Sequence, residues 1–119
     1  MAPAHSNSPV IDNLSRAGAV IRDYATLLEP TRLLILPVSA ELPFPDNLDL
    51  RDFHRVWSAQ LTQIALPLTG LPALTISTGI TGNTPIGVQL VSPRFREDIC
   101  LAAAAILERA GTPESPVEP

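Results

Sequence analysis

Lysine is absent from this chain, and arginine supplies all eight of its basic residues. No Schiff base, P-loop lysine or lysine general base can therefore come from these residues. Cysteine occurs once, as Cys100, which rules out an intrachain disulfide or a cysteine-based zinc site. The histidines, His5 and His54, lie far apart in the chain, so no metal site is expected. Aromatic residues make up only 4%, and a core must rest on Leu, Ile, Val and Ala. The longest apolar run, near Leu33–Val38, is far too short to cross a bilayer. Met1 to Ser6 lacks a basic stretch followed by an apolar core and does not read as a signal peptide, so a cytoplasmic protein is expected. The net charge of −4 and the absence of a basic patch make nucleic acid a poor partner.

What remains is an ordinary globular composition, 45% hydrophobic over 119 residues, enough for one domain. Residues 1–11 are small, polar and proline-rich and read as a disordered N-terminus. Residues 12–111 read as folded, and 112–119 as a flexible tail rich in Pro and Glu. From Asp12 to Leu28, apolar residues at Leu14, Ala17, Ile21, Tyr24, Ala25 and Leu28 mark one face of a helix, with Asp12 or Asn13 as its cap and Pro30 as its stop. Leu33–Leu36 is a short apolar run ended by Pro37, which predicts a strand buried on both faces in a mixed or parallel sheet. A second helix is predicted from Asp49 to Ile64, capped by Asp49 and buried along Leu50, Phe53, Trp57, Leu61 and Ile64. Two apolar strands follow, Ala73–Thr78 and Ile86–Val91, and the turn Gly79–Pro85 between them, built on Gly82-Asn83, suggests an antiparallel hairpin or a short crossover within one sheet. A last helix runs from about Arg96 to Ala110, its buried stripe Ile99, Ala103, Ile106, Leu107 and Ala110, its stop Gly111. The expected fold is α/β, a small mixed sheet of about three strands flanked by about three helices.

Chemistry is thinly supplied. Ser39, Ser58, Ser77 and Ser92 are available as nucleophiles, but none sits in Gly-x-Ser-x-Gly, and His54 is the one base in the folded region. His54 lies off the apolar stripe beside Arg55 and reads as a surface residue. Cys100, between Ile99 and Leu101, reads as buried rather than reactive. Glu41, Asp46, Asp49 and Asp52 cluster near a helix start, where capping and solvation explain them. Gly70, Gly79, Gly82 and Gly87 match no phosphate-loop spacing. Polar side chains at the junction of the second helix and the next strand, Gln60, Gln63 and Thr69, are the candidates for a pocket wall. No catalytic, cofactor-binding or metal-binding residue is assigned.

Several segments, taken in order, carry a family resemblance: Leu34-Ile35-Leu36-Pro37-Val38; Thr69-Gly70-Leu71-Pro72-Ala73; Pro85-x-Gly87-x-Gln89; and Glu97, Leu101 and Glu108 in the last helix. The series resembles the C-terminal end of an amidase-signature hydrolase, over roughly Leu33 onward. Pro67 and Ser77 stand where that family commonly has asparagine and proline. The resemblance implies a mixed, mostly parallel sheet flanked by helices and hydrolysis of an amide C–N bond. There a serine attacks, a second serine relays the proton, a lysine is the base, and a Gly/Ser-rich loop holds the oxyanion. No such Gly/Ser-rich stretch occurs in this sequence, nor any lysine. The resemblance thus implies a C-terminal portion without the catalytic segment, inactive alone or part of a split enzyme. Its partner would be the remaining amidase segment, and a small amide would be its substrate once completed. The alternative is a non-catalytic module that self-associates as a homodimer. No cofactor is implied.

Overall fold

A helix ends where its chain can no longer continue one, and the first helix shows this directly. In the computed structural model, which describes residues 8–111, α1 spans Ser8–Leu28 and stops two residues before Pro30. It starts earlier than the capping pattern at Asp12 suggests, with Pro9 in its first turn, where the missing N–H costs nothing. Residues 1–7 and the tail 112–119 lie outside the described residues. The remaining elements are β1 (Leu34–Pro37), α2 (Leu48–Arg51), α3 (Phe53–Ala59), α4 (Leu61–Ala65), a 3-10 turn (Leu66–Thr69), β2 (Ala73–Thr81), β3 (Thr84–Val91) and α5 (Glu97–Ala110).

The fold is α/β as expected, with three strands in the order β1-β3-β2. Both pairings are antiparallel: Leu36 faces Gln89 across β1–β3, and Thr75 faces Gln89 across β2–β3. The β2–β3 hairpin is tighter than the sequence suggests. Only Gly82-Asn83 separates the strands, and Gly82 takes φ 64° at the first central position, where the hairpin turn needs a residue without a Cβ. A register shift between Ser77 and Gly79 marks a bulge in β2. Gly87 lies where β3 comes closest to β2: a Cβ there would sit 2.5 Å from the Ile76 carbonyl oxygen.

Two small cores lie one on each face of β3. On one, Ile76 and Leu90 meet Cys100 and Ala104 of α5. On the other, Val91 meets Leu28 and Leu66, with Leu34, Leu36 and Leu71 around them. The small Cys100 and Ala104 let α5 settle onto the sheet. The stripe is rotated from the expected one: Ile99, Ala103 and Leu107 are half-buried, while Ile106 and Ala110 face solvent. β1 differs too. It is an edge strand, and Leu34 and Leu36 are half-buried while Ile35 and Pro37 are exposed, so it is not covered on both faces.

The expected second helix is broken into α2, α3 and α4. Asp52 causes the first break: its side chain accepts from the Arg55 N–H and so caps α3 instead of sitting inside a longer helix, while the second falls at Gln60, which makes no side-chain cap. Asn47, not Asp49, occupies the cap position of α2, and Asp49 falls in its first turn. The apolar stripe of this region points outward: Leu50, Phe53, Trp57 and Leu61 are exposed, Leu50 to 80%. The first half of α1 is similar, with Val10, Ile11 and Leu14 exposed. The Cα radius of gyration is 18.5 Å, against about 13 Å for a compact domain of this length. The chain forms a sheet with a helix on it, but leaves much apolar surface uncovered.

Because Gly87 has no room for a Cβ, Gly87→Ala is expected to destabilise the hairpin by about 1–3 kcal/mol, the usual penalty for overpacking. Comparison of urea midpoints with wild type checks this; an unchanged midpoint would mean that β2 and β3 do not approach so closely.

Candidate functional site

A strand that carries polar residues on one face creates a place where something polar can be held. On the face of the sheet that bears Gly87, Gln89 and Val91, β2 contributes Thr75 and Ser77. Above them, a cleft of about 730 Å³ is closed by the 38–44 loop and by Gln60 and Gln63. Thr75, Ser77, Pro85, Ile86 and Gly87 form its floor.

Hydrogen bonds to backbone carbonyls hold the walls together. Gln63 Nε2 donates to the Val38 carbonyl at 2.7 Å, and Thr62 Oγ1 to that of Pro37 at 3.0 Å. The Ala40 N–H donates to the Ala59 carbonyl at 2.8 Å. On the outer rim, the Arg55 guanidinium grips both carboxylate oxygens of Glu41, with Nη2–Oε2 at 2.7 Å, and lies 5.9 Å from the centre of the Phe44 ring. The hydrogen bond from Arg55 holds the Glu41 carboxyl below the usual carboxylate range and raises Arg55 in turn. A second pair, Arg96 with Asp98 at the start of α5, lowers Asp98 by the same kind of bond. It lies outside the cleft.

Of the residues that the sequence singles out, Gln60 and Gln63 line the cleft together. Thr69 does not. It is buried, its hydroxyl donates to the Leu66 carbonyl at 2.6 Å and accepts from the Leu71 N–H, and it closes the 3-10 turn. Among the serines, Ser39 and Ser77 line the cleft, Ser92 is fully buried, and Ser58 lies on α3. Ser58 Oγ is 3.5 Å from His54 Nδ1, both residues are exposed, and neither lines the cleft. Cys100 is buried, its thiol directed at the Leu90 and Pro72 carbonyls.

Gln89 is a buried polar residue that the sequence names only within the Pro85-x-Gly87-x-Gln89 segment and not among the pocket candidates. It is 7% exposed, between Leu36 and Thr75, and its Oε1 meets no hydrogen-bond partner among the described residues. A glutamine alternating with Gly87 in an otherwise apolar strand is the signal that could have found it. The loop tie from Glu41 to Arg55 spans fourteen residues and has no periodic signature. Chemically, the cleft presents amides, hydroxyls and one carboxylate already held by arginine. No histidine or lysine lines it. It can hold a neutral polar group, but it contains no group suited to take a proton from a serine.

No protein-family model matches the chain. It is 29% identical over 97 residues to the glutamyl-tRNA(Gln) amidotransferase A subunit of Salinispora arenicola, covering 82% of this chain and 20% of that protein. The counterpart from Streptococcus equi subsp. zooepidemicus is 29% identical over 89 residues, 75% of this chain and 18% of the relative. That of Archaeoglobus fulgidus is 33% identical over 82 residues, 69% of this chain and 18% of the relative. The chain spans about one fifth of the length of these relatives.

The loop tie has a definite pH sign. Glu41 is depressed in the folded chain, so its contribution is complete above the ordinary carboxylate range and is lost as pH falls through the depressed value. The Arg55 Nε–H NMR resonance is expected to move to its free position on acidification, and to sit there already at neutral pH in Glu41→Gln. A resonance indifferent to both changes would mean that the tie does not form in solution.

Proposed function

We propose that this chain, a homologue of the C-terminal part of the glutamyl-tRNA(Gln) amidotransferase A subunit and so of amidase-signature enzymes, supplies the non-catalytic shoulder of an amide C–N hydrolase. In this reading it is inactive alone and works when joined to a segment that carries the catalytic serines and lysine. The observation that carries the reading is the cleft itself. It offers amide and hydroxyl groups from Gln60, Gln63, Thr75 and Ser77, with no histidine or lysine among its lining residues and its one carboxylate, Glu41, held by Arg55.

The division of labour follows from the chemistry. A serine hydroxyl attacks a carbonyl only when a neighbouring group removes its proton. Ser77 cannot do so here, because its hydroxyl donates to the Ile86 carbonyl at 3.2 Å and no histidine or lysine lines the cleft with it. Gln60 lies on the cleft wall, and Gln63, fixed by its bond to Val38, helps set the shape of that wall. Their role is to orient the part of an amide substrate remote from the reacting carbonyl. That matters because holding a substrate in place removes an entropic part of the barrier.

A second reading has an observation of its own. Among the described residues β1 and β2 are both unpaired on their outer edges, and β2 is nine residues long. Such an edge is a template for another strand, so the chain would act as a self-associating, non-catalytic module. Light scattering at micromolar concentration separates the two, since a monodisperse monomer contradicts self-association.

The purified chain is expected to show no turnover of simple aliphatic amides. Replacing the matched C-terminal fifth of the Archaeoglobus fulgidus relative with this chain is expected to give turnover above that of the relative truncated at the same point. Activity of the isolated chain that survives purification and disappears in Ser77→Ala would overturn the proposal, as would a chimera no more active than the truncated relative.

A further inference from the structure

We infer that the outward stripe Leu50, Phe53, Trp57 and Leu61 is the surface on which the catalytic segment docks. This deepens the reading above and rests on it. The four residues recur at spacings of three, four and four across α2, α3 and α4, the pattern of a buried helical face. They are nevertheless 80%, 63%, 46% and 53% exposed. Phe53 and Trp57 lie against each other, ring centres 5.5 Å apart and planes tilted by 35°. Large aromatic side chains dominate the energetics of protein interfaces, and tryptophan is enriched among the residues that carry most of the binding energy.

Among the described residues nothing lies over this stripe. In the sequence on either side of them, 1–7 and 112–119, the large apolar residues are Met1 and Val117. A second copy is disfavoured by charge. Residues 41–64 carry four carboxylates, Glu41, Asp46, Asp49 and Asp52, against two guanidiniums, Arg51 and Arg55. Facing the stripe to itself would bring two negatively charged rims together, and like-charge juxtaposition selects against such a pairing. The fitting partner has an apolar groove with a basic rim. The relatives supply a source for it, since about four fifths of their length lies outside the region this chain matches.

Hydroxyl-radical footprinting reads Phe53 and Trp57 one residue at a time. In the isolated chain both are expected to oxidise readily, equally at low and at high micromolar concentration. In the Archaeoglobus chimera their oxidation is expected to fall several-fold, and Phe53→Ser with Trp57→Ser is expected to abolish chimera turnover while leaving the circular dichroism of the isolated chain unchanged. A chimera that hydrolyses amides but oxidises at Phe53 and Trp57 as the free chain does would overturn the docking surface and leave the functional reading standing. A chimera without turnover would remove that reading and this inference with it. Protection that grows with the concentration of the isolated chain would assign the stripe to a second copy and overturn the inference.

Discussion

The pairing of β3 on both of its edges is the constraint on which the rest of the fold depends. β3 alone is hydrogen-bonded to two neighbours, and each face carries a separate small core. α5 reaches one core because Cys100 and Ala104 are small enough to approach Leu90 and Ile76. The end of α1 and the 3-10 turn reach the other through Leu28 and Leu66. Both cores meet at the segment Gln89–Ser92, where burial is deepest. Gly87 belongs to the same constraint, because the hairpin closes only where β3 offers no Cβ to the Ile76 carbonyl.

Those two cores engage only part of the apolar sequence. Large hydrophobic residues on α1, α2, α3 and α5 face water, and Phe95 is 80% exposed in a left-handed backbone conformation that bulky residues rarely adopt. A folded monomer seldom leaves so many large apolar side chains open. The same incompleteness describes the chemistry. The cleft has polar walls and a tied loop but neither histidine nor lysine among its lining residues, and the relatives the chain matches are about five times longer. In the proposed reading, one further polypeptide would cover the outward stripes and bring the reacting groups.

How much of this was legible in the sequence depends on the range of the interaction. The hairpin could be read because Gly82-Asn83 between two apolar runs is a local signal, and α5 because its apolar spacing and acidic first turn are local too. Gln60 and Gln63 could be placed at a helix–strand junction for the same reason, and both line the cleft. Thr69 could not be separated from them, since only the 3-10 turn shows its hydroxyl to be engaged by Leu66. Periodicity names the face a helix would bury but not whether anything is there to bury it. That is why Leu50, Phe53, Trp57 and Leu61 read as core and lie in water. The rotation of α5 likewise depends on which residues fit the sheet, and Ile106 loses to the smaller Ala104. Asp52 shows the opposite case, where a single cap overrides a longer helical pattern.

Native-state amide hydrogen exchange on the isolated monomer tests the central claim most directly. If the chain is a shoulder of a larger catalyst, the amides of β3 exchange slowest, while those of the first half of α1, of α2 to α4 and of the outer edge of β2 open with little cost. Protection of α1 and of α2 to α4 equal to that of β3, in a chain shown to be monomeric, would mean a self-sufficient domain and would contradict the account.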